Sequence, residues 1–307
     1  MRILVLGAGG VGGYFGGRLA EKGADVTFLV REGRKQQLDK DGLIIRSING
    51  DVTLHPRTVT ASDPDGPYDL VLFSTKAYHL QGALSDLKPF VGDGTVILPL
   101  LNGVAHYPLL REAFGADRVI GGLCFIEATL DREGHVLQTS KDHYVRFGEF
   151  GQKETERIRR IESALSGTQA AFIRSGHIER DIWHKYLFIA TIAGVTTLMR
   201  APIGPIREAE GGEEFIRSLF REIERIMLAD GAPLDPDIVD KHMQTMGNMS
   251  YGMKSSMQRD MEKGLSVEAD HLHGYLLRIA KDHGIEAPLV RAIYQNLRVY
   301  GITGRLS

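Results

Sequence analysis

Cysteine is nearly absent from this chain, with Cys124 alone in 307 residues. A single thiol excludes an intrachain disulfide and fits a reducing, cytoplasmic setting. Cys124 lies in the apolar stretch GGLCFI and reads as a small core residue rather than a nucleophile. An excess of either charge is also missing. The 37 Lys and Arg against 39 Asp and Glu leave a net charge of −2, and no long basic run occurs. Nucleic-acid binding therefore has no electrostatic support. Beyond the N-terminal stretch no segment resembles a membrane span, so no membrane partner is expected. The remaining composition, 43% hydrophobic and 25% charged, is that of a soluble enzyme long enough for two domains.

Glycine is plentiful, with seven residues between Gly7 and Gly17. The opening run RILVLGAGGVGGYFGGRLAEKGADVTFLVREGR combines a short apolar strand (Ile3 to Leu6), a G-x-G-x-x-G turn (Gly7, Gly9, Gly12), a helical segment to Lys22 and a second strand from Ala24 to Val30. Set between strand and helix, that spacing marks a dinucleotide site. Gly7 permits the tight turn, Gly9 lets the backbone approach a pyrophosphate, and Gly12 lets the helix pack on the strand. The helix start offers N–H groups to the anion. A signal peptide fits poorly, because the glycines interrupt any apolar core and only one basic residue precedes it. The second strand runs into Arg31, with Arg34 behind it, where an NAD site would carry an acid. Arginine pairs a 2′-phosphate, which favours NADP. Glu32, one residue late, and a solvated Arg31 are the alternatives.

The first half alternates strands and helices, which predicts a parallel, doubly wound α/β sheet. Residues 42–46 and 52–59 read as an antiparallel excursion around Asn49-Gly50, and residues 69–74, 95–101 and 119–122 as further strands. Residues 124–150 read as two or three antiparallel strands, 152–166 as a helix and 171–174 as a last strand. From His177 no strand is expected. Helices are predicted near 178–199, 211–231, 236–248, 254–263, 269–283 and 288–299, with breaks at Pro202 and Pro205, Gly231 to Pro236, Gly264, and Gly284 to Pro288. The expected division is a Rossmann-type domain over 1–176 and an all-helical domain over 177–307. The substrate is expected where the helical domain covers the carboxyl ends of the strands.

A nicotinamide supplies hydride, so the chain has to supply a proton. Lys185, in DIWHKYLFIATIAGV, has Asp181, Ile182, Phe188 and Ile189 as helical neighbours; desolvation there would make it a usable acid. A lysine whose ammonium snorkels to solvent is the alternative. Glu268, in GLSVEADHLHG, is a substrate anchor, a residue that tunes Lys185, or an ordinary first-turn acid in a helix capped by Ser266. Lys76 and Asn102 each follow a predicted strand at the edge where ligands bind. His271 and His273 are two apart, face different sides of a helix and have no third ligand, so no metal site is expected. Met243, Met246, Met249, Met253, Met257 and Met261 recur at helical spacing and read as a packing stripe.

GAGGVG at Gly7 to Gly12, Arg31, STKA at 74–77, LNG at 101–103, WHK at 183–185 and SSMQRDMEKGLSVEADHLHG at 255–274 occur in this order. Together they resemble the ketopantoate reductases (2-dehydropantoate 2-reductases) over essentially the whole chain. The resemblance implies NADPH-dependent reduction of ketopantoate to pantoate, a precursor of pantothenate and coenzyme A. It implies that Lys185 is the general acid and that Glu268 binds the substrate hydroxyl and holds the active geometry. Ser256 would contact the substrate carboxylate, and Lys76 and Asn102 would position cofactor and substrate. Gly7, Gly9, Gly10, Val11, Gly12 and Arg31 would hold NADP.

Three departures bear on the substrate. Many members carry asparagine one and two turns after the lysine and two residues before the serine pair; here these positions are Ile189, Ala193 and Met253. A pocket that loses hydrogen-bonding groups relaxes or redirects its choice, unless Thr191, Thr196 or Asn248 replaces them. A paralogue for another, more apolar 2-oxoacid and a non-catalytic NADP-binding sensor are the competing readings. A homodimer and a monomer are both compatible with the sequence.

Overall fold

The computed structural model describes residues 1–303. The chain separates into two compact units. One comprises Met1–Leu101 with His106–Ile178, the other Asn102–Ala105 with Glu179–Ser307.

The first unit is α/β. Its elements are β1 (Ile3–Leu6), α1 (Gly10–Glu21), β2 (Val26–Leu29), α2 (Glu32–Asp41), β3 (Leu43–Ser47), β4 (Val52–Leu54), β5 (Arg57–Val59), β6 (Leu70–Phe73), α3 (Leu80–Leu87), β7 (Val96–Pro99), α4 (His106–Phe114), β8 (Gly121–Phe125), β9 (Ala128–Leu130), β10 (Val136–Gln138), β11 (Tyr144–Gly148), α5 (Glu156–Leu165) and β12 (Ala171–Arg174). The central sheet runs β5-β2-β1-β6-β7 with every pair parallel. β1, β2, β6 and β7 are buried along their whole length, as strands covered on both faces must be. Two smaller sheets, β4-β3-β10-β9 and β12-β11-β8, complete the unit. Helix α1 carries five glycines, each costing about 1 kcal/mol relative to alanine. It forms because Tyr14, Phe15 and Leu19 are fully buried, each worth roughly 1.5–3 kcal/mol.

Two strands differ from the expected pattern. Residues 52–59 are not one strand. β4 pairs with β3 across the turn at Gly50, whereas β5 joins the central sheet beside β2. Residues 119–122 do not extend the central sheet beyond a single bridge, Ile97 to Val119. β8 instead pairs with β11. Cys124 is buried at 7% exposure with its thiol toward the Leu100 carbonyl, a core position.

The second unit contains α6 (Ile178–Met199), α7 (Ile203–Glu208), α8 (Gly212–Ala229), α9 (Ile238–Gly247), α10 (Ser256–Glu262), a π-helical turn (Asp270–Gly274), α11 (Tyr275–Asp282) and α12 (Pro288–Thr303). Among the described residues no strand lies beyond Arg174. The short α7 was not anticipated, because Pro202 and Pro205 read as breaks. Pro202 is its N-cap and Pro205 lies in its first turn, where a missing N–H goes unused. α6 is long and apolar enough by composition to cross a membrane, but 78% of its most apolar window is buried in the protein. Glu222, on α8, caps α12 by accepting from the Leu289 and Val290 N–H groups. Met246 and Met257 are core residues, while the other four methionines of the stripe are only partly buried.

Glu149 ties the α/β unit together after β11. Its carboxylate accepts from Arg157 Nε and Nη2 and from Thr155 Oγ1, each at 2.6 Å. Burial alone raises its pKa, but the Arg157 and Thr155 hydrogen bonds outweigh it, and the carboxyl ends below its ordinary value. The resulting stability is present above the ordinary glutamate range and is lost as pH falls through the depressed value. Arg157→Ala leaves a buried carboxylate with the Thr155 hydroxyl but without its cation. It is expected to cost about 2–3 kcal/mol at neutral pH, the lower end for such pairs because Arg157 is 37% exposed. The penalty should shrink in acid. Chemical denaturation at two pH values checks this, and an equal loss at both would be the wrong sign.

Candidate functional site

In the α/β unit the glycine turn is built from three strand ends. β1 delivers Gly7 at φ +95°, a conformation that a side chain resists. The Gly7 N–H donates to Leu29 O at 3.0 Å, and Ser74 Oγ, just after β6, donates to Leu6 O at 2.9 Å. Helix α1 starts at once, with Gly9 as an N-cap that has no side-chain cap and with no acid in its first turn. The N–H groups of Gly10, Val11 and Gly12 therefore have no acceptor within the helix and suit an anion. A Cβ on Gly12 would lie 2.1 Å from Gly7 O and from Ser74 Oγ, and one on Gly10 would lie 2.6 Å from Ala128 O. A Cβ on Gly9 would meet nothing within 4 Å. The fold makes no demand for glycine there, but the approach of a phosphate does. The Thr75 hydroxyl, beside Gly7, is buried without a hydrogen-bond partner among the described residues. These features fit a dinucleotide pyrophosphate.

Arg31 follows β2 as the N-cap of α2 and is exposed. Its Nη2 donates to His79 Nδ1 at 3.3 Å. Burial, reinforced by the Arg31 charge, lowers the His79 pKa, which keeps that nitrogen an acceptor. Arg34 donates to Ala8 O at 3.1 Å. The Glu32 carboxylate instead accepts from Gln36, one turn along α2. The groups at this strand end are thus cationic, suited to a 2′-phosphate. Lys76 is exposed just after β6, at the start of a short turn that carries His79. Sequence reasoning missed His79; its signal was a histidine three residues beyond Lys76.

The second constellation lies within the helical unit, which includes residues 102–105. Lys185, on α6, is only 7% exposed, so its ammonium does not snorkel to solvent. Its Nζ donates to Asn102 Oδ1 at 2.9 Å. The next residue, Gly103, has φ +76°, and a Cβ there would lie 3.0 Å from Leu272 Cδ2. His271 Nε2 donates to Asn102 O at 2.9 Å, and Tyr186 Oη to Leu272 O at 2.6 Å. Glu268 is partly buried and precedes the π-helical turn, its carbonyl accepting from Leu272 N. Its carboxylate opposes the burial that lowers the His271 pKa. Glu268 is therefore not a first-turn acid, and Ser266 is exposed and caps no helix. His271 and His273 point to separate acceptors, Asn102 O and Ala190 O.

Ser256 is the exposed first residue of α10. Its neighbour Ser255 is spent on structure, accepting from Gln258 N and pairing with Thr196 Oγ1 at 2.7 Å. Ile189 and Ala193 follow Lys185 at helical spacing on the same face of α6. Thr191 Oγ1 donates to Leu187 O, Thr196 Oγ1 to Ile192 O, and Asn248 is exposed at the end of α9. None of the three offers a replacement amide beside Lys185. Among the described residues Asp131, Glu133 and His135 bring donor atoms within 4.8 Å of one another. His135 is bonded there to Asp131 through ring and backbone, closing the β9–β10 hairpin.

The family model for ketopantoate reductase PanE/ApbA matches residues 3–152, and that for its C-terminal part matches residues 177–301. The chain is 50% identical to the uncharacterized oxidoreductase YkpB of Bacillus subtilis, over 98% of this chain and 99% of that protein. It superposes on the crystal structure of 2-dehydropantoate 2-reductase from Geobacter metallireducens with a TM-score of 0.88 at 28% identity, covering 97% and 99% of the two chains. It shares the fold of a D-mandelate dehydrogenase solved with NADH and anilino(oxo)acetate, at a TM-score of 0.89 and 20% identity, covering 99% and 100%.

Two glycine substitutions separate fold from ligand. Gly12→Ala is expected to destabilise by roughly 1–3 kcal/mol, because backbone oxygen must move. Gly9→Ala should leave the melting temperature unchanged while weakening NADPH binding about tenfold or more, the equivalent of about 1.4 kcal/mol. Thermal melts and a fluorescence titration check both. Equal NADPH affinity in Gly9→Ala and the parent would contradict the pyrophosphate assignment.

Proposed function

The chain belongs to the ketopantoate reductase family of NADP-dependent oxidoreductases, and on that premise we propose that it reduces 2-dehydropantoate to pantoate with NADPH, in a reducing cytoplasm and toward pantothenate and coenzyme A. The observation that carries this reading is Lys185, buried and hydrogen-bonded to Asn102 Oδ1. When bound, NADPH supplies the hydride. The backbone of Gly7, Gly9, Gly10, Val11 and Gly12 holds the pyrophosphate, and Arg31 the 2′-phosphate. Lys76 and Asn102 orient the nicotinamide end.

Reduction of a 2-oxo group leaves negative charge on the oxygen. The Lys185 ammonium polarises that oxygen and then protonates it. Asn102 accepts one Nζ–H and so fixes the direction of the ammonium, which reduces the reorganisation needed at the moment of transfer. Glu268 accepts from the substrate hydroxyl, and Ser256 donates to its carboxylate.

A second reading has its own support. Ile189 and Ala193 make the α6 face beyond Lys185 apolar, and the nearby Thr191 and Thr196 hydroxyls are committed to backbone carbonyls. Such a face suits a 2-oxoacid with an apolar side chain, and anilino(oxo)acetate, held by the D-mandelate dehydrogenase of like fold, carries an aromatic group.

Loss of NADPH absorbance with 2-dehydropantoate, beside branched-chain and aromatic 2-oxoacids, tests both readings. The highest kcat/KM is expected with 2-dehydropantoate. Preference for an apolar 2-oxoacid would establish the second reading, and no turnover with any of them would overturn both. Arg31→Ala is expected to raise KM for NADPH about tenfold or more, a lost charge-assisted contact of at least about 1.4 kcal/mol, and to leave NADH use unchanged. Equal losses with both cofactors would make Arg31 structural.

A further inference from the structure

The π-helical turn 270–274 contains two histidines, and each makes a bond to a different part of the helical unit. Nε2 of His273 meets the Ala190 carbonyl on α6 at 2.9 Å, one turn beyond Lys185. Nε2 of His271 meets the Asn102 carbonyl, also at 2.9 Å. A carbonyl only accepts, so both nitrogens carry their protons. The wide turn has a reason in this. Its Gly274 N–H reaches back five residues to Ala269 O, and such single π turns recur where side chains must be re-aimed. The turn is anchored to α6 a second time by Tyr186 Oη on Leu272 O. Leu272 and His271 also pack on Gly103.

Asn102 is therefore held at both ends of its own structure. Its main-chain oxygen is fixed by His271, and its side-chain oxygen takes the Lys185 ammonium. We propose that His271 is a positioning residue for the reaction: by fixing the backbone of Asn102, it sets where the amide oxygen stands and hence where Lys185 Nζ points. The inference rests on the proton-donor role of Lys185. It assigns His271 no contact with substrate. Nε2 keeps its proton in both the neutral and the charged imidazole, so the bond is indifferent to protonation of His271.

The test uses two variants and two readouts. His271→Leu removes the donor while keeping bulk; His271→Gln retains an N–H donor on a side chain of similar reach. With the 2-oxoacid that the parent enzyme prefers, His271→Leu is expected to lower kcat about 10- to 100-fold, as misplacement of a catalytic group by about 1 Å does. The NADPH dissociation constant should stay unchanged, and His271→Gln should recover most of the rate. The second readout needs no substrate. The rate of Lys185 acetylation by acetic anhydride, followed by mass spectrometry, should change several-fold in His271→Leu and stay near the parent value in His271→Gln. Parental kcat and labelling in His271→Leu would overturn the proposal, as would equal impairment of both variants. If the parent protein reduces no 2-oxoacid, the functional reading fails while the labelling comparison still decides the role of His271.

Discussion

An ammonium group removed from water has to be given an acceptor, and much of the helical unit's inner arrangement follows from that need. Lys185 lies on an otherwise apolar stretch of α6 at 7% exposure, and Asn102 Oδ1 accepts a hydrogen bond from its Nζ. Asn102 comes from a segment 83 residues earlier in the chain. Residues 102–105 leave the end of the β7 region and cluster with the helices, so the acceptor is delivered by the strand-bearing half of the sequence. A left-handed glycine, the π-helical turn and a histidine then hold that short segment in place.

The α/β unit meets the opposite problem, which is how to leave polar groups available. Helix α1 begins without a side-chain cap and without a first-turn acid, and its first N–H groups are left for an anion. Gly12 and Gly10 are required by packing, whereas a Cβ on Gly9 would meet no atom of the described residues within 4 Å. The open space at this helix start leaves room for a phosphate to approach the backbone. The same logic applies at the end of β2, where an exposed arginine is oriented by a histidine whose pKa is lowered by burial.

How much of this was legible in the sequence depends on how local the cause was. The glycine turn, its flanking strands and the limits of α6 were readable, because turn geometry and helical periodicity act over a few residues. β5 was not, because its choice of β2 over β3 is made by packing in the central sheet. α7 was hidden by two prolines that occupy its N-cap and its tolerant first turn. Lys185, Asn102 and Glu268 were each named, but the bond between the first two joins distant positions. His271 read as a helical residue facing away from its neighbour, and its acceptor lies 169 residues away. Whether Thr191 or Thr196 could stand in for the amides was not readable from the sequence, because a threonine inside a helix readily spends its hydroxyl on the preceding turn, as both do here.

The most direct measurement is a single-turnover comparison of the parent protein and Lys185→Ala, each saturated with NADPH and mixed with the preferred 2-oxoacid, beside an NADPH titration of both. A proton-donating lysine held by Asn102 predicts unchanged NADPH affinity and hydride transfer slower by about two to four orders of magnitude. An unchanged rate of transfer in Lys185→Ala would contradict it, as would a loss explained by weaker NADPH binding.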